Sequence, residues 1–323
     1  MNFLTLKKEL EEEIKRLQLK LTELERKERQ STPRVLSNRQ AENIKEYERR
    51  VSAGEDVAPL VEHIQLEDLV GTEIFESVLK NEEEIEPHCF QLRGCNIYFY
   101  TPNLRSLWQS AGQEYIEPEL LDFIDSMPDD GVYFDVGAST GVFALYAAMK
   151  GKKTICFEPE ATNFNILNIN SFLNYENIKG NFSAFNIALS DEKSVSNMHI
   201  RKFGGAAHEK ILGKSNARDG TLGFSAEYLQ SVITITMDEF CKFSAITPTD
   251  IKIDVDGVEL QLIEGMSNIL ANPKLKRIFI EISEEEDSSM LALDSLLNCG
   301  FSVYKKTRVQ NYFTEYNYTL QRD

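Results

Sequence analysis

The sequence predicts an α/β fold: a mostly parallel sheet covered by helices on both faces, preceded by a helical extension. Three observations carry this expectation. From Gly131 onward, short and nearly continuous apolar runs alternate with helix-length segments, the pattern of strands buried on both faces. A glycine turn, D-V-G-A-S-T-G, joins the first of these runs to the first helix. The last two runs, F-S-V-Y-K-K-T and Y-N-Y-T-L-Q, are separated by only a few residues, which suits an antiparallel hairpin at the sheet edge and is too short for a crossover.

Residues 1–32 read as a coiled-coil oligomerisation helix. Phe3, Leu10, Ile14, Leu17, Leu21 and Leu24 fall on three- and four-residue steps, interrupted by Lys7, with mixed charges between them and Pro33 as the stop. Residues 33–114 read as a helical linker followed by a small strand-containing region, in which F-Q-L-R-G-C-N-I-Y-F-Y-T-P supplies one or two aromatic-rich strands. The sheet domain spans 115–323. It opens on an amphipathic helix, Ile116–Met127, with Pro118 in its first turn. V-Y-F-D-V, T-I-C-F-E, F-N-I-A-L, I-K-I-D-V and R-I-F-I-E-I then read as strands. Residues 190–230 break the alternation with G-G-A-A-H, G-K-S-N-A-R-D-G and T-L-G-F-S, read as a loop insertion and a candidate lid.

Charge and composition exclude several classes of function. The chain has 35 basic and 52 acidic residues among 323. Of these, 13 basic and 10 acidic residues lie in 1–50, leaving 22 against 42 in the acidic remainder. Such a field repels phosphate backbones, so nucleic acid is not the expected partner. Five cysteines without a C-x-x-C pair fit neither a disulfide framework nor a zinc site, and suit a reducing cytoplasm. No apolar stretch is long enough to span a membrane, and the N-terminus lacks an apolar signal core.

The chemistry concentrates in Y-F-D-V-G-A-S-T-G, Tyr133 to Gly141. Gly137 and Gly141 permit a sharp turn and close approach of a ligand, and the helix that follows presents free amides to it. Glu158, closing the second strand, can accept two hydrogen bonds from a ribose diol. The ligand is not a dinucleotide: Ser139 and Val142 stand where G-x-G-x-x-G requires glycine. A phosphate loop also fails, because His208 occupies the glycine position ahead of Gly213-Lys214-Ser215. Asp135, two residues before Gly137, suits instead the cationic sulfonium and amino groups of S-adenosylmethionine. A simple turn-anchoring role for Asp135 is the plainer alternative.

D-V-G-A-S-T-G, F-E-P, N-I-A-L-S-D, I-T-M-D-E-F and I-K-I-D-V-D-G-V-E-L occur in the order found in the FkbM-type methyltransferase family, which the chain resembles over about 115–323. The resemblance implies a class I methyltransferase (Rossmann-like) fold, a seven-stranded mostly parallel sheet of order 3-2-1-4-5-7-6 with the seventh strand antiparallel. It implies S-adenosylmethionine as cofactor and a hydroxylated small molecule or glycan as acceptor. By resemblance, Asp135, Gly137, Ala138, Ser139 and Gly141 form the methionine-side loop, Glu158 binds the ribose, and Asn186 or the backbone of Ala188 and Leu189 reads the adenine. Glu117 matches a recurring family acid; a solvated first-turn carboxylate is the alternative. The chain departs from the family at Ser139, where Asn is usual, and at Asp256, where D-V-E-G is usual.

For the acceptor hydroxyl, three readings of the fourth strand's end stand open. Asp254 is a general base; or Asp254, Asp256 and Glu281 hold a divalent ion such as Mg²⁺; or Asp256-Gly257 is a turn and Glu259 supports a helix start. His199 and His208 in the insertion are the other base candidates, solvated loop histidines being the alternative. Trp108 and the aromatic run 98–100 either floor an acceptor pocket or belong to the core. An oxidoreductase and a scaffold with an inactive domain remain competing functions.

The arm carries its own test. An isolated helix of this length is marginal in water, and association buries the Leu10–Leu24 stripe. Deleting residues 1–32 is expected to reduce the mass seen by light scattering while leaving S-adenosylmethionine affinity unchanged; an unchanged mass would show the arm to be a solvated helix.

Overall fold

A computed structural model describes residues 86–206, 210–213, 226–309 and 313–322, with a few residues between 45 and 54. The chain divides into two units, Met1–Glu84 and Ile85–Asp323. The coiled-coil expectation for 1–32 lies outside the described residues, and the elements below belong to the second unit.

The region ahead of the sheet domain opens with a hairpin of β1 (Pro87–Leu92) and β2 (Cys95–Tyr100). Its two-residue turn, Arg93-Gly94, takes positive φ at both positions, which matches the twist of the strands. Helices α1 (Leu104–Ala111), α2 (Gln113–Ile116) and α3 (Pro118–Asp125) follow. Pro118 occupies the first turn of α3 as expected, where its missing N–H has no intrahelical partner to lose.

The alternating part then runs β3 (Val132–Val136), α4 (Val142–Met149), β4 (Lys153–Phe157), α5 (Ala161–Leu173), α6 (Tyr175–Ile178) and β5 (Phe182–Phe185). A second sheet interposes β6 (Ala188–Leu189), β7 (Ser194–Ile200), β8 (Lys210–Leu212) and β9 (Tyr228–Ile235). The main sheet resumes with α7 (Met237–Ser244), β10 (Asp250–Ile253), α8 (Glu259–Glu264), α9 (Ser267–Ala271), β11 (Arg277–Ser283), α10 (Asp287–Asn298), β12 (Ser302–Arg308) and β13 (Glu315–Gln321).

The seven-stranded sheet has the order β12-β13-β11-β10-β3-β4-β5. Its inner pairs are parallel, and β13 alone runs antiparallel to both neighbours. Counted along the chain within this sheet, the order from β5 is 3-2-1-4-5-7-6, the class I methyltransferase arrangement. Phe134, Ile155, Ile253 and Ile280 pack one face beneath α7 to α10. On the other face Tyr133 and Phe279 pack with Leu120 and Ile124 of α3, Leu145 of α4 and the hairpin's Phe99.

Two expectations are corrected. F-N-I-A-L is not one strand: Phe185 ends β5, and Ala188-Leu189 forms β6 in the other sheet. Residues 190–230 are not a loop. Their described part builds a β6-β9-β7-β8 sheet, because S-V-S-N-M-H-I buries Met198 and Ile200 against Leu212, Val232 and Val258, a period-two pattern hidden by the polar residues between. The sheet is closed at its neck. Ala188 pairs with Thr234 and Leu189 with Ile235, and the Thr234 hydroxyl donates to Glu192 O (2.8 Å) while accepting the Ser194 N–H (2.9 Å).

A buried ion pair fastens this sheet to the main domain. Lys210 Nζ lies 2.5 Å from Glu160 Oε2, and both side chains are almost wholly buried. Glu160 also caps α5, accepting the N–H groups of Thr162 and Asn163. Removing one partner leaves a buried charge without compensation. Lys210→Met is expected to lower unfolding free energy by about 3–5 kcal/mol, read as a shift of the urea midpoint; an unchanged midpoint would show that the pair contributes nothing.

Candidate functional site

Parallel sheets bind ligands outside the carboxyl ends of their strands, where the order reverses. Here that point lies between β3 and β10, and the glycine turn follows β3. Gly137 has φ +83°, and a Cβ there would stand 1.9 Å from Asp254 O, so only glycine lets the two turns touch. Ser139 holds φ +50°. Asn tolerates that left-handed region better than Ser, which gives the departure from the family's usual residue a physical cost. Gly141, at φ +84°, starts α4, while Ala138 is buried with Ala144, Cys156 and Leu167.

Glu158 ends β4 and reaches back to this turn. Its Oε2 accepts the Ser139 N–H at 2.7 Å and its Oε1 the Glu160 N–H at 2.9 Å. Burial pushes its pKa up to about 7, against the Glu160 N–H bond, the Lys210 charge and the Ser139 bond. The carboxylate keeps further lone pairs for a diol.

The residue that sequence reasoning missed is Lys252. It sits in the middle of β10, in register with Asp135 of β3, and is buried. Its Nζ lies 3.2 Å from Asp135 Oδ1 and 3.2 Å from Asp254 Oδ2, and donates to Gly137 O at 2.8 Å. Burial disfavours its charge, but Asp135, Asp254 and Glu117 more than offset that and hold its pKa above the ordinary lysine value. The signal was present as a lone lysine inside I-K-I, an apolar strand where an unpaired cation is costly.

Asp254 is part-exposed at the mouth and anchored by Lys252. Glu117, ahead of α3, is pushed up to about 8, first by burial and then by the carboxylates of Asp254, Glu119 and Asp135, with Lys252 opposing. Glu281, on β11, is raised to about 9 by burial and by Asp254, Glu117, Glu315 and Asp256. Glu117, Asp135 and Asp254 thus share one electrostatic neighbourhood around the buried Lys252 ammonium, and Glu281 adjoins it through Asp254 and Glu117.

Other expected residues are placed differently. Asn186 donates its amide to Glu158 O (2.8 Å) and Pro159 O (3.0 Å), bracing the loop after β4. Ala188 and Leu189 are buried in separate cores while β6 pairs with β9, so their side chains serve packing. Among the described residues no group of three acidic, histidine or cysteine side chains is placed to hold an ion. Asp256 is exposed, and its Oδ2 accepts the Lys210 N–H at 3.3 Å. With φ +29° at Asp256 and +90° at Gly257, the pair forms the turn, and buried Glu259 accepts the Gly257 N–H at 3.0 Å. His199 is in β7 rather than a loop, on the face opposite Met198 and Ile200 and so away from Val258 and the site. His208 lies outside the described residues. Trp108 is an exposed residue of α1.

Residues 135–303, from Asp135 of this site to Val303 of β12, match the family model described as "Methyltransferase FkbM domain". The chain belongs to the FkbM methyltransferase family. Within reach of this FkbM chain is the hexuronic acid methyltransferase AglP of Haloferax volcanii, 24% identical over 185 residues, which are 57% of this chain and 70% of that protein. A crystal structure of an FkbM methyltransferase from Methylobacillus flagellatus KT is similar at 15% identity and a TM-score of 0.42, covering 60% of this chain and 45% of that one. The FkbM chain described here therefore spans less than half the length of that structure. Ribosomal protein L11 methylase from Lactobacillus delbrueckii subsp. bulgaricus is similar at 13% identity and a TM-score of 0.39, over 64% and 78% of the two chains.

The raised carboxyls make stability depend on pH. Glu158 and Glu259 are lifted by burial from 4.5 to about 7, Glu117 to about 8 and Glu281 to about 9. Between 4.5 and these values the native state holds protons that the unfolded chain has lost, so stability falls as pH rises through that window. The ligand-free FkbM protein is expected to show a melting temperature that declines from about pH 5 to about pH 9, with Glu117→Gln and Glu281→Gln flattening the decline. A melting temperature that rises over that range would contradict the arrangement.

Proposed function

We propose that this chain is an S-adenosylmethionine-dependent O-methyltransferase whose acceptor is a hydroxyl of a sugar or glycan. The observation that carries the reading is the joint between the cofactor-type loop and the acidic turn: Lys252 binds Asp135, Gly137 O and Asp254 together. The residues fit the cofactor. Gly137 leaves a cradle that a Cβ would fill, Glu158 offers a buried carboxylate to a diol, and Asp135 Oδ1 is buried without a well-angled hydrogen bond. An excess of carboxylates around one ammonium suits a positively charged ligand.

Bound S-adenosylmethionine supplies an electrophilic methyl carried on a sulfonium. The chain's own residues then have separate tasks. Asp135, Gly137, Ser139 and Gly141 hold the methionine end, Glu158 the ribose, and Asn186 braces the loop beside the adenine end. Asp254, part-exposed at the mouth, accepts the proton of the acceptor hydroxyl as the new carbon–oxygen bond forms. Lys252 keeps Asp254 oriented, and positioning supplies much of the acceleration. The hexuronic acid methyltransferase relative supports a sugar acceptor. The heptad seam of residues 1–32 supports a homo-oligomer, and the five free cysteines support a reducing cytoplasm.

Calorimetry with S-adenosylmethionine and transfer of labelled methyl into fractionated glycans and metabolites test the reading. Glu158→Ala is expected to weaken cofactor binding by about 1.5–3 kcal/mol, the worth of a hydrogen bond to a charged group. Asp254→Asn is expected to lower turnover by roughly 10²–10⁴ with cofactor affinity little changed. A folded Glu158→Ala protein that binds the cofactor like the wild type, or an Asp254→Asn protein of full activity, removes the assigned role.

A further inference from the structure

Thr140 is buried in the middle of the glycine turn, between two residues of left-handed backbone: Ser139 at φ +50° and Gly141 at φ +84°. A residue other than glycine in that region costs energy and persists only where its surroundings fix it. The Glu158 carboxylate fixes one side, by accepting the Ser139 N–H. Two further side chains reach the turn, and both hold Thr140.

The first is Asn170 of α5. Its Nδ2 donates to Thr140 O at 2.8 Å, and its Oδ1 accepts the Tyr100 N–H of β2 at 2.7 Å. A carbonyl can only accept and an N–H can only donate, so these partners fix which way the amide points. The second is Gln109 of α1, whose Oε1 accepts the Thr140 hydroxyl at 3.2 Å. Asn174, at the end of α5, offers a comparison. Its Oδ1 accepts the Tyr98 N–H at 3.0 Å and its Nδ2 donates to Tyr98 O at 2.7 Å. Both asparagines are buried, and β2 pairs with β1 alone in its sheet, so the two amides line the edge that another strand would take. They differ in the bond left over. Asn174 donates to Asn170 O within its own helix, whereas Asn170 donates to the glycine turn.

We propose that Asn170 and Gln109 are positioning residues for the cofactor: they clamp Thr140 by its carbonyl and its hydroxyl, and so hold the glycine turn in the form that receives S-adenosylmethionine. This rests on the reading of the turn as the cofactor loop. A turn fixed beforehand spares the ligand the cost of ordering it. The clamp also gives β2 and α1 a part in the site. Both precede Asp135, where the family match begins, yet β2 anchors Asn170 and α1 carries Gln109.

Amide hydrogen exchange of the ligand-free full chain reads the clamp, and calorimetry with S-adenosylmethionine reads its consequence. Asn170→Leu removes both polar arms at nearly constant volume. Asn174→Leu removes hairpin bonds of the same kind and none to the turn. Asn170→Leu is expected to speed exchange at Ser139 and Gly141 by about five- to tenfold, the worth of one hydrogen bond, and to weaken the cofactor by a similar factor. Asn174→Leu is expected to leave both at wild-type values. Thr140→Val, which loses only the hydroxyl bond to Gln109, is expected to weaken the cofactor about two- to fivefold, and it decides the matter if Asn170→Leu does not fold. Wild-type exchange and affinity in the deciding variant overturn the proposal. So do equal losses in the two asparagine variants, which would make both amides supports of the hairpin alone. A turn loosened by Asn170→Leu in a protein whose wild type binds no S-adenosylmethionine would leave the clamp standing and count against the functional reading.

Discussion

Everything at the carboxyl edge of this sheet hangs on the ammonium of Lys252. Register puts it beside Asp135, and its length lets it reach Gly137 O and Asp254 as well. A buried cation with that many oxygen partners is tolerated because each partner also needs it: Asp135 is buried, and Asp254 and Glu117 repel each other. The contact between Gly137 and the Asp254 carbonyl is the steric side of the same junction. One side chain thus makes a cofactor-type loop and an acidic turn into a single rigid body. Two reacting groups held by one core keep their separation better than groups on independent loops.

The acidic surplus around that cation has a direction. Burial and mutual repulsion raise Glu117, Glu158, Glu259 and Glu281 together. A site carrying these groups comes under electrostatic tension as pH rises, and a positive ligand relieves it.

Much of the fold was legible because burial on both faces writes long apolar runs, and these survive without knowledge of tertiary contacts. The antiparallel edge hairpin, the Pro118 helix and the glycine turn followed from such local signals, whereas the strand order came with the family resemblance. The second sheet was illegible for the opposite reason. Its strands are half-buried and polar on the outer face, so Met198 and Ile200 alone carried the period, while the glycines and lysines between strands read as loop. Asp135, Gly137 and Glu158 were visible by type and spacing. Lys252 and the Lys210–Glu160 pair were not, since their meaning lies in partners far along the chain. For Asp256 the sequence left a turn and an ion ligand both open, and the fold places it in the turn, beside the Lys210 amide.

The neck of the second sheet has a consequence for how such a domain diversifies. Because Ala188-Leu189 and Thr234-Ile235 are paired side by side, the chain leaves and re-enters the main domain at one point. Closing a loop between ends that are already fixed together costs little more as the loop lengthens. The segment between them can therefore be shortened, extended or exchanged without disturbing the order of the seven strands. Its contacts with the main domain include the Lys210–Glu160 pair, the apolar face against Val258, the Ala206 N–H donated to Asn163 Oδ1 and the Gln230 side chain on Pro159 and Ala161. A descendant that kept those contacts and the neck would retain the seven-stranded sheet and the Lys252 cluster while acquiring a different second sheet.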